Sequence, residues 1–128
     1  MTDQAALPAL IDAVQRYFDL MYDADTARFD RVFQPTAQLH SVAKNEVTML
    51  TAQAYKGILE GRPSPKSVGA PRQEEILLID VASPDQALVK VRVRINKLIF
   101  VDYLTYHRAG GEWLITSKGY HLESKVAA

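Results

Sequence analysis

The sequence predicts a single α+β domain in which N-terminal helices cover one face of a strongly curved antiparallel sheet. Apolar residues recur at three- and four-residue steps near the N-terminus, and at two-residue steps in the C-terminal half. Because the helical patterns come first and the strands follow as a run, the helices collect on one side of the sheet. A bent sheet closed by one long helix leaves a conical cavity. At 128 residues, the chain accommodates one such domain, residues 1–128.

The first two elements are predicted helices. The opening helix carries an apolar stripe with Tyr17 and Tyr22 beside it, formed by Leu7, Leu10, Ile11, Val14, Phe18 and Met21. Asp25 is suited to cap a short second helix, which would bury Phe29 and Phe33. Pro35 ends that helix, because the residue before a proline disfavours helical geometry.

Two short strands and a third helix follow. Alternation over residues 37–44 predicts a strand with Leu39 on one face and His40 on the other, and residues 46–50 predict the next strand. Thr51 is suited to cap a helix that ends at Gly61. Residues 62–71 contain three prolines and a glycine, which is typical of an exposed loop.

The rest of the chain predicts a four-stranded antiparallel meander. Residues 75–81 form an apolar run expected to be buried, and residues 88–95 alternate with valines on one face and basic residues on the other. Residues 98–107 are apolar on both faces, which is typical of a strand covered on both sides. A hairpin turn at Ala109, Gly110 and Gly111 leads into the last strand, residues 113–122.

Composition excludes several classes of function. Fifteen basic residues balance fifteen acidic ones, which argues against nucleic-acid binding, since that needs a basic excess. The absence of cysteine excludes disulfides, thiolate metal sites and cysteine nucleophiles. No apolar stretch approaches the ~20 residues that span a bilayer. Residues 1–4 lack the basic and apolar segments of a signal peptide, so we expect a cytoplasmic protein.

Two segments carry a family resemblance, residues 100–105 (FVDYLT) and residues 111–118 (GEWLITSK). Together with the opening helix they resemble the nuclear transport factor 2-like superfamily, and most of all its small bacterial proteins described as putative lumazine-binding, related to the polyketide-cyclase-like group. The resemblance covers nearly the whole chain. It implies a cone-shaped, cystatin-like α+β roll with a pocket between sheet and N-terminal helix, often as a homodimer. It implies no single activity, because the superfamily includes isomerases, dehydratases, cyclases and non-enzymatic modules.

Asp102 is the first candidate for acid–base chemistry. It shares a strand face with Phe100 and Leu104, so its carboxylate lies in an apolar row. A buried carboxylate without a partner can act as a general base or as a neutral acid. The alternative is a structural ion pair across the strands with Arg92 or Arg94.

His40 and Tyr17 complete the candidate catalytic residues. His40 lies on the strand that usually lines the cavity in this superfamily, and imidazole titrates near neutrality, which suits proton transfer. The alternative for His40 is a hydrogen-bonded structural role. In isomerases of the superfamily, a tyrosine hydroxyl at the end of the pocket polarises a substrate carbonyl, and the resemblance makes Tyr17 a candidate for that role. The alternative for Tyr17 is core packing with its hydroxyl bonded to the backbone.

The candidate ligand-binding residues are mostly aromatic or apolar, as in small-molecule pockets generally. They are Phe18, Met21, Tyr22, Phe33, Tyr55, Phe100, Leu104, Trp113, Lys118 and His121. Lys118 also matches the lysine of the family motif and is suited either to an anionic ligand or to a structural salt bridge. The histidines lack the close spacing of metal ligands, and no phosphate loop or dinucleotide fingerprint is present, so we predict neither metal nor cofactor.

Two functions therefore remain open. One is a pocket for a small hydrophobic molecule, with isomerase, dehydratase or cyclase chemistry. The other is a non-catalytic dimeric binding module. We expect a homodimer in either case, because residues 98–107 are apolar on both faces and only one face belongs to a monomer's core.

Overall fold

The computed structural model describes residues 3–127 of the chain, and side chains from residue 6 to residue 127. The helical elements are α1 (Asp3–Asp23), a 3₁₀ helix (Thr26–Arg31) and α2 (Ala52–Gly61). The strands are β1 (Phe33–Ala43), β2 (Glu46–Thr51), β3 (Glu74–Ser83), β4 (Gln86–Ile95), β5 (Leu98–Ala109) and β6 (Glu112–Lys125). The predicted fold class is confirmed: the helices pack on one face of a curved, unclosed sheet.

The sheet has the strand order β2-β1-β6-β5-β4-β3. The predicted meander from β3 to β6 is antiparallel throughout, whereas β1 joins β6 as a parallel neighbour. Gly110 and Gly111 form the β5–β6 turn with φ of +61° and +80°, a region that glycine enters without steric cost. We call the helix-covered side of the sheet the inner face and the opposite side the outer face.

Helix α1 buries a face that includes Tyr17. Leu10, Val14 and Tyr17 are fully buried, whereas Ile11 is 43% exposed. The predicted stripe is thus rotated by part of a turn, because Tyr17 replaces Ile11 on the side facing the sheet. Within residues 3–127, no helix combines the length and apolarity needed to cross a bilayer.

The segment after α1 differs from the prediction. Asp25 accepts a hydrogen bond from the Ala27 N–H at 3.2 Å and caps the 3₁₀ helix, but Phe33 belongs to β1 and not to that helix. Pro35 lies inside β1. It is tolerated there because the β1–β6 pairing is irregular between Phe33 and Gln38, so the missing N–H interrupts no regular ladder.

Strand β4 follows its predicted alternation, and strand β3 does not follow its predicted burial. Val89, Val91 and Val93 on β4 are buried at 3% exposure or less. On β3, Leu77 and Leu78 are 36% and 51% exposed. The expected buried run is wrong because β3 is an edge strand, with a sheet neighbour on one side only.

A β-bulge at Thr116 reverses the alternation of β6. Thr105 on β5 pairs with Ser117, but the next residue, Tyr106, pairs with Ile115, so one residue of β6 is left over. Before the bulge Ile115 faces the core, and after it Lys118 does so, at 0% and 5% exposure. The bulge therefore brings a charged side chain to the inner face.

Candidate functional site

A cavity of about 210 Å³ lies between the helices and the inner face of the sheet. Helices α1 and α2 contribute one wall, and strands β2, β4, β5 and β6 contribute the other. The lining residues are Met21, Leu50, Tyr55, Ile58, Arg62, Val93, Ile95, Phe100, Asp102, Lys118 and Tyr120. An apolar enclosure with a few polar groups is the usual form of a small-molecule site.

Asp102 presents one satisfied and one unsatisfied oxygen in this region. Its side chain is 1% exposed, and its Oδ2 accepts a hydrogen bond from the Tyr17 hydroxyl. Its Oδ1 is buried and has no hydrogen-bond partner among the described residues. Buried polar atoms are nearly always paired with protein or water, so this oxygen is free to accept a hydrogen bond from a molecule in the cavity.

Lys118 is the cation that accompanies Asp102. Its Nζ lies 3.9 Å from Asp102 Oδ2 and donates a hydrogen bond of 3.1 Å to the Tyr55 hydroxyl. The same ammonium lies 4.6 to 5.8 Å from the ring centroids of Tyr55, Tyr17 and Tyr120. These aromatic faces and the carboxylate together compensate the loss of water around the ammonium. Among residues 6–127, Asp102 and Lys118 are the two buried charged side chains.

Tyr17 supports Asp102 and does not itself line the cavity. Burial raises the pKa of the Tyr17 hydroxyl well above its ordinary value, and the negative charge of Asp102 raises it further. The hydroxyl therefore stays protonated and acts as a hydrogen-bond donor. Because that donation goes to Asp102, the structure does not place Tyr17 where it would polarise a ligand carbonyl.

The alternative of an ion pair between Asp102 and an arginine of β4 is wrong. Arg92 forms salt bridges of 2.6 Å to Glu75 and 2.8 Å to Glu123, on the outer face of the sheet. Arg94 shares that strand face with Arg92, because the two are two residues apart on β4. Asp102 pairs instead through the inner face, with the lysine that the bulge turns inward.

His40 on β1 and His121 on β6 lie on the outer face and not in the cavity. His40 and His121 line a shallow groove there with Val101 and Tyr103. His40 points outward because Leu39, its neighbour, is fully buried on the inner face. In a regular strand, His121 would point inward as Trp113 does, because an even number of residues separates them. The bulge between them turns His121 to the outer face. The expectation that either histidine lines the cavity is wrong.

The remaining candidates divide into cavity lining and core. Met21, Tyr55, Phe100 and Lys118 line the cavity with Asp102. The other apolar candidates pack in the core away from it: Phe18, Phe33, Leu104 and Trp113. Tyr22 donates a long hydrogen bond of 3.4 Å to the Ala70 carbonyl and so contacts the loop after α2.

Sequence reasoning missed part of the lining, namely Leu50, Ile58, Arg62, Val93, Ile95 and Tyr120. Val93 and Ile95 had a signal, because the alternation of β4 places them on the inner face. Arg62 had none, since it lies in a loop without periodicity. Within the described part of the chain, no three histidine, aspartate or glutamate side chains converge as metal ligands would.

Comparison with known proteins identifies the family. A family model described as "Putative lumazine-binding" matches residues 5–121. No functionally curated protein matches the chain. A nuclear transport factor 2-like protein of unknown function from Shewanella baltica is 21% identical, with a TM-score of 0.83 over 98% of this chain and 99% of that one.

Two further solved structures share the fold. A nuclear transport factor 2-like protein from Silicibacter pomeroyi is 23% identical, with a TM-score of 0.79 over 96% of this chain and 100% of that one. A ketosteroid isomerase-like protein from Erwinia carotovora atroseptica is 11% identical, with a TM-score of 0.70 over 92% and 96% of the two chains. At these identities the likeness shows the fold alone. Because the family match spans most of the sequence, the chain belongs to the "Putative lumazine-binding" family, and its fold is that of the nuclear transport factor 2-like structures.

Proposed function

We propose that this protein binds a small, mostly apolar molecule in the inner-face cavity, and that Asp102 Oδ1 accepts a hydrogen bond from it. The single observation that carries the proposal is this buried carboxylate oxygen without a partner among the described residues. Leaving such an atom unpaired costs free energy, which a ligand N–H or O–H would recover. Lys118 lies alongside and offers its remaining N–H groups to a ligand acceptor.

The cavity sets the size of the ligand. Its 210 Å³ would hold about seven water molecules at liquid density, which corresponds to a molecule of one or two rings. Val93, Ile95 and Phe100 supply apolar walls, so most of the affinity would come from burial of the ring surface. The few polar groups would set the orientation.

The contacts of Asp102 favour recognition over proton abstraction. The Tyr17 hydroxyl and the Lys118 ammonium both interact more strongly with an ionised carboxylate than with a neutral one. A carboxylate held by these two contacts is well placed to accept a further hydrogen bond. Both contacts hold Asp102 as a hydrogen-bond acceptor, so we place ligand binding ahead of isomerase, dehydratase or cyclase chemistry.

The family description supplies the first ligand to test. Lumazine is a two-ring dione in which ring N–H groups and carbonyl oxygens alternate along one edge. Such an edge offers a donor to Asp102 Oδ1 and an acceptor to Lys118 Nζ, and the two rings suit the cavity's size. The family name is the reason for choosing this probe, and the cavity chemistry is the reason to expect binding.

Isothermal titration calorimetry with lumazine tests the proposal. Asp102→Asn keeps the side-chain shape but removes the charge, so we expect affinity to fall about 10- to 100-fold. Asp80→Asn is the matched control, since Asp80 is exposed on β3, and it should bind as the wild type does. Equal binding by wild type and Asp102→Asn would contradict the proposal. So would the absence of lumazine binding together with no small molecule retained in native mass spectrometry.

The outer face supports a second candidate, a homodimeric binding module. Four large apolar side chains on β1, β2 and β5 are at least half exposed there, namely Val42 (67%), Val47 (73%), Met49 (50%) and Tyr103 (50%). Apolar patches of this kind on a single chain mark interaction surfaces. We propose a second copy of this chain as the occupant, because a two-fold axis would place the same apolar strands against themselves.

Sedimentation equilibrium tests the dimer. We expect wild type to be a dimer at micromolar concentration, and Met49→Lys to shift it toward monomer because an ammonium would be buried in the interface. Leu77→Lys, on the edge strand β3, is the control and should leave the dimer intact. A wild-type monomer would disprove the dimer and leave the cavity proposal standing.

A further inference from the structure

We infer that the ligand of the cavity is a small carboxylic acid whose carboxylate binds Arg62, while a neutral O–H or N–H at its other end donates to Asp102. The inference rests on the proposed ligand-binding function and narrows it to a chemical class. It follows from the charges that line the cavity.

Arg62 is held at the rim of the cavity by the end of α2. Its backbone N–H donates to the Ile58 carbonyl at 3.1 Å, which closes the helix and fixes the residue. The side chain lines the cavity and is half-buried, whereas Asp102 and Lys118 are buried. The order of exposure places Arg62 nearest the solvent among the three charged residues.

The guanidinium of Arg62 has no hydrogen-bond or ion-pair partner among residues 6–127. Arg28, Arg72, Arg92 and Arg108 each form a salt bridge with an acidic residue. Of the arginines without a salt bridge among the described residues, Arg62 is the one that lines the cavity. A guanidinium presents several donors in a planar fork, which matches the two oxygens of a carboxylate. An unpaired guanidinium on a residue that lines the cavity is therefore suited to an anionic ligand group.

The charges of the cavity do not balance without such a group. Lys118 is neutralised by Asp102 at 3.9 Å, so the positive charge that remains belongs to Arg62. Charge interactions are stronger in an apolar enclosure than in water, which favours a counter-anion there. The carbonyls at the C-terminus of α2 offer Arg62 only partial negative charges.

The same charges define the donor at the buried end. A ligand ammonium at Asp102 would lie beside the ammonium of Lys118 and be repelled. A neutral hydroxyl or amide N–H avoids that repulsion and still satisfies Asp102 Oδ1. The ligand class is therefore a ring compound with a neutral donor at one end and a carboxylate at the other.

Three related probes separate these features. 4-Hydroxyphenylacetate carries both groups, 4-methylphenol carries the donor alone, and phenylacetate carries the carboxylate alone. In calorimetry we expect 4-hydroxyphenylacetate to bind wild type at least about tenfold more tightly than either single-group probe, since each charge-assisted contact contributes at least that factor.

Arg62→Gln then assigns the carboxylate. We expect it to reduce the advantage of 4-hydroxyphenylacetate over 4-methylphenol to within about twofold, because only the charged contact is lost. The control is Arg31→Gln, an exposed arginine away from the cavity, which should keep the full advantage. Raising the salt concentration should weaken 4-hydroxyphenylacetate and leave 4-methylphenol unchanged. Urea denaturation of both variants checks that α2 remains folded.

The outcomes distinguish this inference from the proposal beneath it. If the two phenols bind wild type equally, or if Arg62→Gln keeps the advantage, the carboxylic-acid class is overturned. Lumazine binding that depends on Asp102 would in that case still support the cavity. If lumazine binds and neither phenol does, the class is also overturned. If no probe of either kind binds and native mass spectrometry finds no retained small molecule, the proposed function itself fails.

Discussion

The hydroxyl of Tyr17 on α1 donates a hydrogen bond to Oδ2 of Asp102 on β5, across 85 residues of sequence. Both side chains are buried, so this bond ties the longest helix to the centre of the sheet where the cavity lies. It also occupies one carboxylate oxygen and leaves the other for a ligand. Asp102 therefore anchors α1 through one oxygen and keeps the other available to a ligand.

Tyr17→Phe should destabilise the protein by about 1–3 kcal/mol, because Asp102 Oδ2 loses its donor inside the core. Tyr106→Phe is the matched control. Tyr106 is equally buried, but its hydroxyl has no partner among the described residues, so its removal should be neutral or stabilising by up to about 1 kcal/mol. Urea denaturation measures both. Equal losses from the two substitutions would show that the Tyr17–Asp102 bond contributes nothing specific.

Lys118→Met should cost about 3–5 kcal/mol, because it leaves Asp102 charged and buried without a cation. Lys90→Met is its control. Lys90 also lies over a tyrosine ring, with Nζ 5.5 Å from the Tyr103 centroid, but on the outer face, so its loss should cost less than about 1 kcal/mol.

The double substitution Lys118→Met with Asp102→Asn checks the mechanism. Removing both charges should recover at least about half of the loss caused by Lys118→Met, since no unpaired charge remains in the core. A double variant as unstable as the sum of its parts would mean that the loss comes from packing and not from the ion pair.

Regular alternation made much of the site predictable. The spacing of Val89, Val91 and Val93 placed the inner face of β4 correctly, and the parity of Phe100 and Asp102 placed the acid beside it. In an uninterrupted strand, one residue whose face is known fixes the others. The identity of the paired cation was not predictable, because Arg92 and Lys118 both lie on neighbouring strands and only their faces distinguish them.

The bulge and the loops limited the rest. Lys118 and His121 are three residues apart, so they point to opposite faces of the strand and cannot both face the core. The sequence around Thr116 carries no signal for the bulge that decides between them. His121 was assigned to the wrong face for that reason. Arg62 follows α2 in a segment without periodicity, where neither a face nor a partner follows from spacing.

Deleting Thr116 tests what the bulge does. The deletion removes the residue left over, so Ser117 follows Ile115 directly and Lys118 keeps its place on the inner face. We therefore expect the deletion variant to fold and to bind lumazine. Thr116→Ala keeps the chain length and hence the bulge, and it should cost less than about 1 kcal/mol. Calorimetry and urea denaturation of the two variants provide the comparison. Loss of lumazine binding by a folded deletion variant would contradict this account of β6.

Alkaline pH should destabilise the fold through two tyrosines. Burial raises the pKa of both Tyr17 and Tyr106 above the ordinary value of 10.0, and Asp102 adds to the effect at Tyr17. Above about pH 10 the unfolded chain releases these protons while the folded chain keeps them, so the native state binds more protons there. Stability therefore falls as pH rises through that range, by up to about 1.4 kcal/mol per pH unit for each tyrosine. Below that range both states are protonated and these groups add no pH dependence.

Urea midpoints measured from about pH 9 to about pH 11 test this sign and its source. Tyr17→Phe and Tyr106→Phe should each make stability fall less steeply with rising pH, by the contribution of one tyrosine. This holds although only Tyr17→Phe breaks a hydrogen bond. Absorbance of tyrosinate should show these two hydroxyls ionising only when the protein unfolds. If both variants keep the wild-type slope, alkaline unfolding has another origin, and Tyr17 does not hold its proton for Asp102.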